Sequence, residues 1–155
     1  MHIQFDNPWS VIHIVSCLTA FAGFAAAFVA YVGYKMQEHM LKTKQINVLQ
    51  QFLPSLDHAD RLAYRMVAFG FLMLALGIVT GTVWSRTVMG TFWRWDPIET
   101  WSLITWLVYA AYLHIRVVSG WRGKWANWLL VAGFACALVM VFGVNCLMHS
   151  WHKFS

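Results

Sequence analysis

Charge is what this sequence has least of. Of its 155 residues only 11% are Asp, Glu, Lys or Arg, against about 25% in a soluble globular domain. Hydrophobic residues make up 60% of the chain and the mean hydropathy is +0.57. That excludes an ordinary soluble fold and places the chain in the membrane class. Acidic residues are scarcer than basic ones, six against eleven. In so apolar a chain the basic excess reads as a topology signal. No RNP-like, zinc-finger or helix-turn-helix pattern is present, so nucleic acid is set aside as a partner. The three cysteines, Cys17, Cys136 and Cys146, form neither CxxC nor CxxCH, which excludes a zinc knuckle and a covalently held c-type haem. Each lies in an apolar run and reads first as a small buried hydrophobe. Cys17 and Cys146 fall on one side of the membrane in the topology below, which leaves a disulfide or a thiol-exchange site open. Internal repeats and low-complexity runs are also absent.

What is present is four apolar segments, approximately 9–34, 64–85, 98–118 and 125–147. Each is about twenty residues or longer, enough to cross a hydrocarbon core of about 30 Å as a helix. The first is too long for a signal peptide and lacks its basic start and cleavage site, so it is expected to be a true span. Orientation follows from the cations. Lys35, Lys42, Lys44, Arg61 and Arg65 between spans one and two, with Arg116, Arg122 and Lys124 between spans three and four, put eight on one side. Arg86, Arg94 and Lys153 put three on the other. The imbalance predicts that both termini and the loop 86–100 are extracytoplasmic. The expected fold is all-α, an integral membrane four-helix bundle, with residues 1–155 forming a single membrane domain. After a short extension of the first helix, a turn is expected around Pro54 and Ser55, with Asp57 capping the second helix and Asp60 in its first turn. Trp121, Trp125 and Trp128 recur at i, i+4 and i+7 and are expected to form an aromatic belt on the fourth helix.

The loop sequence "GTFWRWDPIETWSLITW", residues 90–106, concentrates four tryptophans. It fits either an interfacial anchor or an aromatic platform for a flat ligand. Asp96-Pro97 reads as a helix N-cap with proline at the first helical position, and Glu99 as its capping-box partner. That reading leaves room for a second role, such as orienting a loop arginine or lining a ligand's acidic groups. Among the seven histidines, His39 and His58 lie in the basic segment and read as solvated, and His2 is terminal. His13, His114 and His149 fall at or inside membrane boundaries, where an ionisable ring needs a partner or a metal. His13, one turn after Asn7-Pro8-Trp9, and His149, after Gly143-Val144-Asn145, share the outer side at similar depth. Two imidazoles over an aromatic floor suit axial ligation of a haem iron. A pair of ordinary interfacial histidines suits the same positions. His114 lies about 24 Å along the third helix, where it can snorkel beside Arg116 or ligate something in the bilayer. His152, one turn past His149, is a rival ligand.

"WRWDPIETWSLITWLVYAAYLHIR" resembles the tryptophan-rich WWD signature of the cytochrome c assembly protein family, the membrane haem handlers of c-type cytochrome biogenesis. Within that family it is most similar to the system II (Ccs/Res-type) branch. "WSVIHIV" resembles the family's histidine-bearing helix start. "LPSLDHADRLAYRMVAFGFLMLALGIVTGTVW" resembles the helix leading to the loop. "GWRGKWANWLLVAGF" and "GVNCLMHSW" resemble the closing segment, so nearly the whole chain is covered. The resemblance implies a b-type haem, held non-covalently at the extracytoplasmic face of the inner (cytoplasmic) membrane. Trp93, Trp95, Asp96 and Trp101 would form the platform, His13 and His149 would ligate the iron, and His114 would guide haem through the bilayer. Apocytochrome c would be a partner, as would membrane subunits supplying further helices. The chain would then belong to a system that attaches haem to apocytochromes.

Three differences from the family pattern stand beside the resemblance. The chain matches the C-terminal core of proteins that are usually longer. Ile98 occupies the position after WDP where a lysine is usual. The closing motif usually reads GLHSY after a longer spacer, whereas here Asn145 and His149 are four apart and Trp151 follows. Ile98 and the closing motif favour a second reading, a fixed haem-binding or structural subunit of a multi-subunit respiratory or electron-transfer complex.

Overall fold

The computed structural model describes residues 7–44, 54–120 and 124–143. The described residues form helices and short connections, with no strand. Four helices are long and apolar enough to cross a membrane, and the chain is a multi-pass helical membrane protein. They are α1 (Pro8–Thr43), α2 (Leu56–Met89), α3 (Pro97–Val118) and α4 (Lys124–Leu138), the last continued by a π-helical turn, Val139–Gly143. The part of the fourth span beyond residue 143 lies outside the described residues, as do Trp121, Cys146, His149 and His152.

Local sequence accounts for where each helix starts. Asn7 caps α1 by accepting the Trp9 amide at 3.1 Å, with Pro8 at the first helical position. Asp96 caps α3 in the same way through the Glu99 amide at 2.8 Å, again followed by proline. The cap of α2 differs from expectation. Ser55, extended after Pro54, accepts the His58 amide at 3.3 Å. Asp57 is instead inside the first turn, paired with Arg61 four residues on. Asp60 sits a turn further and faces the bundle. Serine wins because the helical backbone already starts at Leu56, which leaves Asp57 inside the first turn.

α1 outruns its expected span. Its 36 residues extend about 54 Å, well beyond a hydrocarbon core. The surplus turns carry Glu38, held by Lys35 and by Lys42 at 2.8 Å each. Pairs at i+3 and i+4 support a helix exposed to water. The two lysines hold the Glu38 carboxyl down at about 2.

Without a hydrophobic force between helices in lipid, close packing does most of the work, and small residues permit it. α1 and α2 form the most extensive interface. Ala20, Ala27 and Ala30 of α1 and Ala59 and Ala63 of α2 are buried there with Val67 and Leu74. Gly23 and Gly70 bring the two backbones together, since a Cβ on Gly23 would lie 3.3 Å from the Gly70 Cα. α3 and α4 form the next interface, with smaller contacts from α2 to α3 and from α1 to α4. Consecutive neighbours with short connections define an up-down-up-down bundle. At its centre the Tyr109 ring stacks on Phe24 at 4.0 Å. Gly133 of α4 opens the space for that ring, which a Cβ would meet at 2.7 Å.

Candidate functional site

The tryptophan loop begins where Gly90 ends α2 in the left-handed conformation, φ 77°. Arg94 is the loop's organiser. Its amide donates to Glu99 Oε2 at 2.7 Å, and its guanidinium Nη2 donates to Asp96 Oδ2 at 2.8 Å. Its Nε lies 3.8 Å from Glu99 Oε1. The expected capping box is thus altered. Asp96 caps α3, but Glu99 takes the Arg94 amide in place of the Asp96 amide. The cause is Trp95, whose φ of 58° turns the chain back toward the helix start. A left-handed tryptophan is costly by about 1 kcal/mol. The turn leaves the Trp95 ring 72% exposed. Trp93 is half-buried and meets Trp95 edge to face, ring centres 5.9 Å apart and planes at 81°. The two indoles therefore form a corner. Trp101 follows within α3, half-buried.

His13 approaches the same end of the bundle from α1. Its Nδ1 lies 2.7 Å from the Gly77 carbonyl oxygen of α2. A carbonyl only accepts, so Nδ1 is the donor in this bond and Nε2 is the acceptor nitrogen of the neutral ring, with Cys17 Sγ 4.0 Å from it. Gly77 and Gly81 form the notch that admits the ring. A Cβ on Gly81 would lie 2.8 Å from His13 Nδ1, and one on Gly77 would lie 2.7 Å from Cys17 Sγ. Cys17 sits one turn deeper than His13, with Sγ 3.8 Å from Nδ1. Near this end Trp84 Nε1, Ser85 Oγ and Trp93 Nε1 are buried with no hydrogen-bond partner.

The candidate residues are not all gathered together. Trp93, Trp95 and Asp96 share the loop. His13 is seated against α2 at the level of Gly77 and Gly81, about 14 to 20 Å along the helix from Gly90. His114 lies toward the other end of α3 and is exposed on the outer surface of the bundle. Arg116, two residues on, turns inward. Arg116 donates to Asp60 Oδ1 and Oδ2 at 2.8 and 2.9 Å, with its guanidinium over Tyr64 and Tyr112. Among the described residues no group of three or more His, Cys, Asp or Glu could hold a metal.

Sequence reasoning passed over the His13 seat, although "GIVTG", Gly77 to Gly81, spells the small-xxx-small spacing of close helix approach. It also passed over the Asp60–Arg116 bridge, for which no local signal exists.

Four spans and a capped tryptophan loop define a multi-pass membrane protein. The sequence model of the family described as cytochrome C assembly protein matches residues 2–152. The chain belongs to that family. It is 45% identical over 104 residues to the cytochrome c biogenesis protein CcsA of a Picosynechococcus species, covering 67% of this chain and 31% of that protein. It is 41% identical over 117 residues to the CcsA of a Synechocystis species, covering 76% and 35%. With the CcsA of Guillardia theta the identity is 37%, covering 96% and 54%. The chain thus spans about a third to a half of the length of these relatives. No solved structure matches.

Proposed function

We propose that this chain handles haem in c-type cytochrome biogenesis and holds it, non-covalently, at the tryptophan-loop end of the bundle. The observation that carries the reading is the His13 seat. Donation from Nδ1 to Gly77 aims the ring, and Nε2, 4.0 Å from the Cys17 thiol, is the nitrogen with which a neutral imidazole would bind a metal. Other features suit a b-type haem. Trp93, Trp95 and Trp101 offer aromatic surface to a macrocycle. The unpartnered N–H groups of Trp84 and Trp93 and the Ser85 hydroxyl offer donors for propionate oxygens. His149 would be the second axial ligand, making the pair bis-histidine, with His152 its rival. Bound haem would supply the vinyl groups to which the thiols of an apocytochrome c add as thioethers. The chain's own contribution is orientation and the exclusion of water. Asp96 and Glu99, by fixing Arg94, keep the loop in shape for that.

The excess of cations at the other end supports an extracytoplasmic loop in the inner membrane. His114 bears on partners. Ile104, Leu107, Ala111, His114 and Val118 form one exposed stripe along α3. An imidazole facing lipid is unfavourable, which supports cover by helices of another membrane subunit, with haem passing against His114.

The test is the optical spectrum of the purified protein after haem supplementation. A bis-histidine b-type spectrum that weakens in His13→Ala and His149→Ala is expected. A wild type with no Soret band overturns the proposal. Exposed apolar Ile98, where the family signature has a cation, favours the second reading of a fixed subunit in a respiratory complex. Gene deletion separates the two: loss of all c-type cytochromes supports assembly, and loss of one complex with c-type haem intact supports the subunit.

A further inference from the structure

The basic end of the bundle, opposite the tryptophan loop, carries a feature unrelated to the His13 seat. Between α1 and α4 a groove of about 210 Å³ is lined by Tyr31, Lys35, Lys124, Asn127, Trp128 and Val131. That is the space of roughly seven waters at about 30 Å³ each, enough for a phosphate group and its first carbons.

Its lining changes character with depth. α4 supplies Lys124 and Asn127 toward the helix end, then Val131 a turn further into the membrane. α1 supplies Lys35 toward the end and Tyr31 one turn deeper. Trp128 borders the groove with 70% of its surface exposed, and Trp125 beside it is 68% exposed. Exposed tryptophans near a helix end mark headgroup depth. The groove therefore runs from cations and an amide at headgroup level to apolar surface at acyl level.

The charge balance leaves an anion wanted. On α1, Lys35 and Lys42 share the single carboxylate of Glu38, which leaves one positive charge over. Lys124 adds a second from α4. Asp60, the nearest carboxylate on α2, is engaged by Arg116 in both of its oxygens.

We infer that this groove binds the phosphate headgroup of an anionic phospholipid, with Lys35 and Lys124 pairing its charge and Asn127 donating to it. Tyr31, Trp128 and Val131 receive the start of the acyl chains. A basic pocket between membrane helices, flanked by interfacial aromatics, has the chemistry for such a lipid. Bound there, the lipid would bridge α1 and α4, which share one of the smaller interfaces of the bundle.

The test is native mass spectrometry of the detergent-purified protein titrated with phosphatidylglycerol or with phosphatidylcholine. One phosphatidylglycerol should be retained where phosphatidylcholine is not. Lys35→Gln and Lys124→Gln should each weaken retention roughly fivefold, at about the worth of one lysine near an anionic surface. The single variant Lys44→Gln removes the same charge outside the groove and should leave retention within twofold. Asn127→Leu, which keeps every charge, should also weaken it. Equal retention of the two lipids overturns the inference, as does equal loss in the groove and control variants.

Discussion

His13 of α1 and Gly77 of α2 are joined across the helix interface by a 2.7 Å hydrogen bond. The carbonyl accepts, so Nδ1 is the donor, and Nε2 lies 4.0 Å from Cys17 Sγ. The bond exists because Gly77 and Gly81 carry no side chains, so the imidazole lies directly on the α2 backbone. The first prediction comes from that contact. Gly81→Ala places a methyl 2.8 Å from His13 Nδ1, so the ring must swing away and the Gly77 bond is lost. Overpacking of this kind costs about 1–3 kcal/mol. Haem affinity should fall at least tenfold, read by titration of the Soret band, while helicity by circular dichroism stays unchanged. Unaltered haem binding would show that the ring needs no such seat.

Trp95 invites a test in which two properties move apart. Its φ of 58° is tolerated far better by asparagine, and its ring is largely exposed. Trp95→Asn should leave thermal stability unchanged or raised by up to about 1 kcal/mol, while haem affinity drops. Loss of both together would mean that the ring is structural.

Asp60 and Arg116 form a buried two-armed pair with side chains 17% and 8% exposed. Removing one partner strands the other charge, so Arg116→Leu should destabilise by about 3 kcal/mol or more. The double variant Asp60→Leu, Arg116→Leu should recover most of that loss. Thermal unfolding in detergent measures both, and equal destabilisation by the single and double variants would contradict the assignment.

Asp96 and Glu99 divide their labour. Asp96→Ala should remove the α3 cap, at about 1 kcal/mol, together with one arm of Arg94. Glu99→Ala should leave the cap intact and free the Arg94 amide, whose hydrogen exchange should then quicken. Exchange of that amide in the single variants distinguishes these roles.

Glu38 carries a pH signature. Lys35 and Lys42 lower its carboxyl from 4.5 to about 2. A depressed acid stabilises the folded chain fully above its unfolded value. Support for the last turns of α1 should therefore persist to pH 4.5 and fade only as pH falls toward 2. In Lys42→Gln the carboxyl should titrate nearer its ordinary value, which carboxyl chemical shifts would record.

Much of this was legible because it is local. Asn7-Pro8 and Asp96-Pro97 announce helix starts, since a cap needs its side chain only two or three residues from the amide it accepts. Glu38 between Lys35 and Lys42 announces a helix continuing into water. The Ser55 cap was misplaced onto Asp57 because two cap-competent residues stand two apart, and only the backbone decides between them. The altered capping box was hidden because it depends on the left-handed Trp95, a conformation that no spacing rule assigns to tryptophan.

By itself, the sequence determined four apolar spans, the starts of α1, α3 and α4 and, through tryptophan, aspartate and proline at close spacing, the loop that marks the family. Those depend on interactions within a few residues and on the cost of placing charge in lipid. Tertiary structure alone decided that His13 meets Gly77, 64 residues away, and that Asp60 meets Arg116, 56 away. It also turned His114 outward and Arg116 inward on one helix. Which face of an apolar helix is covered depends on where its neighbours' small residues allow close approach, and that is settled only when the helices pack.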